Sequence, residues 1–366
     1  MNIMDNLSLI TKNGYYDEYY PFNNYSHKMY NILQLKDESI LIYTNTEIFI
    51  LDKKLKHYSM SLLDKANENK NRNERYITNI KQLKNGTFLC CNKNLYIFSI
   101  KNKKIYNSKE LITPKDEIIL DVIELKNGKI LGITNKSILE IKNKEDNYEF
   151  SHLFNFPDNY ITNIELKNND NNFYINVNEL PNNKLLIHSL YITKSYGICG
   201  THPPSEFISN QIFILNANTF EIIYNFEEFN SCYCEINIII LKKYICISIF
   251  NYYNFYNIDD YKLIKKIKDK FNNKYIIKYD ENKFISISED EEENDIIIYY
   301  ISDIDNIYYK IFKCNFIKFD INKYNGIYPV RHSKNKSFYL LKNKTIFIIC
   351  HGLSYIVEFP IKKIFD

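Results

Sequence analysis

Seven times along this chain an apolar strand, a tight polar turn and a second apolar strand follow one another. The copies are NILQLKDESILIYT (31–44), ITNIKQLKNGTFLCC (77–91), LDVIELKNGKILGIT (120–134), VNELPNNKLLIHS (177–189), INIIILKKYICIS (236–248), YIIKYDENKFISIS (275–288) and SFYLLKNKTIFIIC (337–350). The turns Lys84-Asn85-Gly86 and Lys126-Asn127-Gly128 have hairpin chemistry, because Asn-Gly tolerates the positive φ that tight turns need. Third strands follow most copies, as at 94–100, 137–142, 295–301 and 354–359, and fourth strands follow at 148–153 and 261–267. With Leu35, Leu83, Leu125, Leu180, Leu241, Tyr279 and Leu341 as equivalent anchors, the spacings are 48, 42, 55, 61, 38 and 62 residues. No stretch shows the 3.6-residue period of an amphipathic helix.

The second and third strands are apolar at both parities, as in Tyr244–Phe250, Ile296–Ile301 and Ile346–Cys350. A sheet with one wet face would alternate apolar and polar residues, so both faces of these sheets must be covered. A string of β-sandwiches leaves outer faces wet. Radial stacking of sheets covers both faces at once, and closing the ring leaves only short, protected edges. The expectation is an all-β chain: a single seven-bladed β-propeller of four-stranded antiparallel blades, one domain over residues 1–366. The blades fall near 30–62, 76–112, 118–154, 161–228, 232–268, 273–319 and 325–366, with 1–29 as an N-terminal extension. Either Leu7–Thr11 or Ile361–Phe365 could complete the last blade.

In pattern and period, though without the Gly-His and Trp-Asp signatures, these repeats resemble those of WD-repeat β-propellers. The resemblance covers nearly the whole chain and implies a rigid interaction platform without catalysis.

Composition fits a large core, with 45% hydrophobic and 25% charged residues. Asn, Ile, Lys, Tyr and Phe are abundant while Gly, Pro and Trp are scarce, and the favoured residues share A/T-rich codons. A single Lys, Asn or Tyr therefore says little, and the sequons at Asn6, Asn24, Asn85, Asn135, Asn335 and Asn343 read as chance matches. A net charge of +3 argues against nucleic acid as a partner, which would require a concentrated basic stripe. Eight scattered cysteines read as small buried hydrophobes rather than a disulfide framework. MNIMDNLSLITKNG lacks the features of a secretory signal. The most apolar run, 235–250, is interrupted by Lys242 and Lys243 and is too short for a membrane span. The expected setting is cytoplasmic.

In a four-stranded meander the one–two and three–four turns share one end of the sheet, and the two–three turn and the connector share the other. Long connections cluster at the second end: 64–75, 154–160 and 320–336, with the acidic run 289–295 as a two–three loop. Binding tends to reside on such loops. The insertion Thr193–Asn210 joins them if Leu185–Tyr191 is strand two of its blade, and moves to the opposite end if Ile161–Leu166 is strand one.

Two elements stand out as partner contacts. The first is a charge pair. Residues 262–274 carry six lysines, among them Lys265, Lys266, Lys268 and Lys270, while 289–295 hold six acids in seven residues, among them Glu291 and Glu292. Together they could steer a protein partner, or form a solvated turn. The second is SYGICGTHPPSEF, with Tyr196 and His202, which concentrates glycine and proline and so implies a defined loop. Cys199 and His202 with Cys232 and Cys234 are a poor zinc set, because Cys-x-Cys is too tight. No phosphate loop, nucleophile elbow or His-Glu-x-x-His occurs. No catalytic, cofactor or metal residues are assigned. The reading is a non-enzymatic scaffold for a protein partner. The alternatives are a propeller hydrolase or lyase with its site at the central channel, and a structural subunit of a larger particle.

Overall fold

The computed structural model describes residues 31–290 apart from 36, 44–47, 52–56, 61–76, 78, 92–94, 115–116, 145–146, 157–171, 196–204, 230–235, 250–251 and 269–272; beyond these it describes 295–301, 312–315, 336–340, 346–350 and 353–355. All sheets are antiparallel meanders in chain order. The first holds β1 (Asn31–Gln34), β2 (Ile40–Tyr43), β3 (Ile48–Leu51) and β4 (His57–Met60). The second holds β5 (Asn79–Gln82), β6 (Phe88–Cys91), β7 (Leu95–Lys101) and β8 (Lys104–Leu111). The third holds β9 (Ile119–Glu124), β10 (Ile130–Thr134), β11 (Ser137–Lys144) and β12 (Asn147–Asn155). The fourth holds β13 (Asn172–Leu180), β14 (Lys184–Ser195), β15 (Ser205–Asn216) and β16 (Ile222–Asn225). The fifth holds β17 (Ile236–Ile240), β18 (Tyr244–Ile249), β19 (Tyr252–Asn257) and β20 (Leu263–Lys268). The sixth holds β21 (Asn273–Lys278), β22 (Phe284–Asp290), β23 (Asp295–Ile301) and β24 (Phe312–Asn315). A further sheet has three described strands, β25 (Lys336–Leu340), β26 (Ile346–Cys350) and β27 (Leu353–Tyr355).

The chain divides into two compact units, one of residues 31–234 and one that includes residues 235–366. Within the first unit, the both-sided apolar strands do what their pattern requires. Successive residues of a strand point to opposite faces. Phe88 and Cys90 of β6 pack with Leu41 and Tyr43 of the first sheet. Leu89 and Cys91 turn the other way and pack with Ile119 and Val122 of the third. The third sheet repeats the arrangement. Val122 and Ile141 face the second sheet, while Leu131 and Ile133 meet Leu185, Ile187 and Phe213 of the fourth. The second and third sheets are thus covered on both faces by their neighbours in the chain. In the other unit, Cys246, Tyr253 and Phe255 of the fifth sheet pack with Phe284 of the sixth.

The one–two turns of the second and third sheets share one geometry. Gly86 donates its N–H to the Leu83 carbonyl at 2.9 Å and Leu83 donates to Thr87 at 2.8 Å; Leu125, Gly128 and Lys129 repeat this with the same distances. This is a type I turn closed by a left-handed residue. Only the glycine takes positive φ, +91° at Gly86 and +88° at Gly128. Asn85 and Asn127 serve differently from the sequence expectation: each side-chain carbonyl accepts the N–H two residues on, from Thr87 and Lys129 at 3.0 Å. The three–four turns of the fourth and fifth sheets match one another. Asn216 and Asn257 cap them with side-chain oxygens, and a buried aromatic, Phe220 or Tyr261, sits at φ near +60°. Ala217 donates to the Asn183 carbonyl at 2.7 Å and Ile258 to the Lys243 carbonyl at 3.0 Å, which ties both turns at one end of each sheet.

In the fourth sheet β14 is the second strand, so Leu185–Tyr191 stands where the first of the two alternatives put it. The insertion 193–210 is not all loop. Thr193, Lys194 and Ser195 pair with Phe207, Glu206 and Ser205, so both its ends extend a hairpin of twelve-residue strands. Phe154 and Asn155, expected to begin a connection, instead finish β12. The proposed closing segments 7–11 and 361–365 and the long connection 64–75 lie outside the described residues.

Candidate functional site

Three of the four lysines singled out from sequence, Lys265, Lys266 and Lys268, fall on an outer strand. Among the described residues β20 ends the fifth sheet and pairs only with β19. Phe255 pairs with Lys265 and Tyr256 with Leu263, so Ile264 is an extra, bulged residue. A bulge bends its strand and re-aims a side chain. Leu263 and Ile264 are each 52% exposed, while Ile267 returns to the core. Lys266 and Lys268 are exposed and Lys265 is half-buried. The Lys266 ammonium stands 4.4 Å from the centre of the Tyr252 ring, a cation–π contact that holds it in place. Lys262, just before the strand, pairs with Asp260 at 3.3 Å.

Lys265, Lys266 and Lys268 therefore lie on one strand, which can offer ammonium groups to carboxylates and two aliphatic side chains to an apolar partner group. The same lysines also blunt an exposed sheet edge. Lys270, Glu291, Glu292, Tyr196 and His202 lie outside the described residues. The acidic run does occupy a two–three connection, because Asp290 and Asp295 are the last pair of β22 and β23. Tyr253 donates its hydroxyl to Ser286 at 2.6 Å, and the Phe255 and Phe284 rings lie 6.0 Å apart. That register puts Lys268 of β20 and Asp290 of β22 toward the same end of their adjoining sheets.

A second constellation escaped the sequence reading. A polar line in the first unit runs from β2 of the first sheet across the first strands of the next three sheets. The Tyr43 hydroxyl donates to Asn79 at 2.8 Å, and the Asn79 amide donates to Asp121 at 2.6 Å. Asp121 also accepts from the backbone of Val122 at 2.8 Å and of Val177 at 3.0 Å, with Lys81 at 3.7 Å. Asp121 is fully buried. Burial pushes its carboxyl above the usual range, against the opposing pull of Lys81 and the hydrogen bonds. The sequence did hold a signal: four residues before the anchor stand Asn31, Asn79, Asp121, Asn176 and Asn237 in five successive copies.

Glu117 precedes β9 and gathers three groups. Thr134 and Ser137 donate their hydroxyls to one carboxylate oxygen at 2.7 and 2.5 Å, and His152 lies 3.3 Å from the other. The carboxylate stands between hydroxyl and imidazole, whereas nucleophilic catalysis places the imidazole between them. Ser137 is also fully buried, so the cluster acts as a clasp between the inter-sheet connection and the third sheet. His188, whose imidazole lies 3.0 Å from the Asn210 side-chain oxygen, is held below its ordinary value, mainly by burial. Cys90, Cys91 and Cys246 are buried thiols outside any disulfide, and burial raises each. Among the described residues no three His, Cys, Asp or Glu side chains gather as metal ligands, and no helix is long and apolar enough to cross a membrane.

No family model matches the chain, and no curated protein matches it. Among solved structures, the chain is similar to BBS1N in its complex with ARL6DN, at 10% identity over 91% of this chain and 92% of that one, with a TM-score of 0.48. Hsv2 of Kluyveromyces lactis aligns at 9% identity over 89% and 90%, with a TM-score of 0.42. BamB of Moraxella catarrhalis aligns at 10% identity over 70% and 68%, with a TM-score of 0.40. These neighbours are β-propellers with four-stranded sheets. At such identities and scores the likeness adds nothing to what the sheets of this chain show by themselves.

Proposed function

We propose that this chain is a non-enzymatic scaffold for a protein partner, and that its repeated sheets are the blades of one seven-bladed β-propeller spanning the chain. The observation that carries the reading is the burial of the second and third sheets on both faces by the sheets before and after them. Meanders stacked in this way make a rigid support whose loops and outer strands are left for recognition. The chemistry at hand suits recognition. The exposed lysines of β20 complement carboxylates, while the buried carboxylates Asp121 and Glu117 are spent on tying sheets and connections together. Lys265, Lys266, Lys268 and Lys270 are the contact residues we favour, with Glu291, Glu292 and the loop bearing Tyr196 and His202 as the second element. The working environment is the cytoplasm.

Affinity purification of the full chain after brief cross-linking, followed by mass spectrometry, tests the function. The expected result is a protein partner that the wild type recovers and that Lys→Glu changes at Lys265, Lys266, Lys268 and Lys270 release. Recovery unchanged by all four substitutions would remove the lysines from the interface. Class averages from negative-stain electron microscopy test the architecture, since a number of spokes other than seven would refute it.

A further inference from the structure

We infer that β20 is a docking strip for an acidic segment of a partner protein that also carries apolar side chains. This rests on the scaffold reading and names the partner's chemistry. The large hydrophobic side chains exposed among the described residues are Tyr106, Ile112, Ile223, Leu263 and Ile264. Each lies on the fourth strand of a sheet or directly after one, and only on β20 do two stand side by side. The bulge accounts for this, because the extra residue Ile264 is turned out of the β19–β20 pairing. Exposed Lys262, Lys266 and Lys268 flank the pair in sequence, and the Tyr252 ring, whose strand partner is Lys268, fixes the Lys266 ammonium toward the Lys268 end of the strand.

A strand that carries an exposed apolar pair between lysines is complementary to a segment that mixes carboxylates with aliphatic or aromatic side chains. The contact is made by side chains. The bulge breaks the backbone ladder and the lysines blunt the edge, so an added β-strand fits poorly. A lipid surface fits poorly too. A single acyl chain holds a protein to a bilayer only marginally, and two half-exposed aliphatic side chains offer less apolar surface than that.

The test uses the full chain and fluorescence anisotropy, with a fluorescein-labelled peptide of alternating aspartate and leucine as the probe. The wild type should bind it, and added salt should weaken binding. Ile264→Asp and the pair Lys266→Glu with Lys268→Glu should each lower the affinity by about tenfold. Ile112→Asp, directly after β8, should leave it unchanged. Circular dichroism melts keep only folded variants in the comparison, and Ile264→Ser with Lys266→Gln serves where the charged changes do not fold. A wild type that ignores the peptide, binding that survives the β20 changes, or capture by phosphatidylserine vesicles in place of the peptide would each overturn the inference. Cross-linked purification separates this from the scaffold reading. Partners retained by the β20 variants leave a scaffold without this strip, whereas a wild type that recovers no partner refutes the scaffold itself.

Discussion

Asp121 shows how one residue can join sheets that are distant in sequence. Its carboxylate accepts from Asn79 in the preceding sheet and from Val177 in the following one. Asp121→Ala would leave those donors buried without an acceptor, and urea denaturation should show a loss of about 1–3 kcal/mol. Its titration also has a definite sign. Because burial raises the folded-state value above 3.8, its contribution is complete below that pH and declines as pH rises through the folded value. Asp121→Asn lacks this titration, so the stability difference should move in the variant's favour as pH rises from 3.8 through the folded value. His188 works in the opposite direction. Its value is lowered below 6.5, so its contribution is present above that pH and is lost as pH falls from it toward the folded value. Denaturation midpoints of His188→Gln should lack that acid limb.

At the scale of elements, the repeat is a matter of turns and bulges as much as of apolar strands. Gly86 stands at φ +91°, with nothing within 4 Å of where a Cβ would lie. Gly86→Ala therefore costs through backbone strain alone, about 1 kcal/mol by urea denaturation, and Gly86→Asn should cost less. The paired turns are also stitched from sheet to sheet. The Lys84 N–H reaches Glu124 at 2.6 Å, and the Lys126 N–H reaches Glu179 at 3.0 Å. Hairpins, anchors and the second place of Leu185–Tyr191 were legible because apolar runs and turn residues are local signals. The bulges were not. β8, β12, β16 and β20 each carry an extra residue opposite the third strand. No residue type marks it, because a bulge is set by how the outer strand fits its neighbour's twist. The lysines of β20 could be chosen from sequence as a basic strip, but the outward turn of Ile264 could not.

At the scale of the whole molecule, three buried thiols report on the two units separately. Cys90 and Cys91 lie in the second sheet and Cys246 in the fifth. Burial holds each thiol protonated and covered, so alkylation requires opening of the surrounding sheet. In rising urea, labelling followed by mass spectrometry should modify Cys90 and Cys91 together, since β6 sends them to opposite faces of one sheet. Labelling of either in the native state, or of one well before the other, would contradict that packing.

The order of apolar and turn residues was enough to determine an all-β chain of antiparallel meanders, since hairpin chemistry acts over a few residues and two-sided apolar strands demand two covers. What covers each side was decided only by tertiary structure. Nothing in the local sequence says that Phe88 meets the sheet before it and Leu89 the sheet after it, or that Asp121 bridges residues 42 and 56 positions away. Burial and hydrogen bonding between sheets depend on distances that the chain sets only when the strands have paired and stacked.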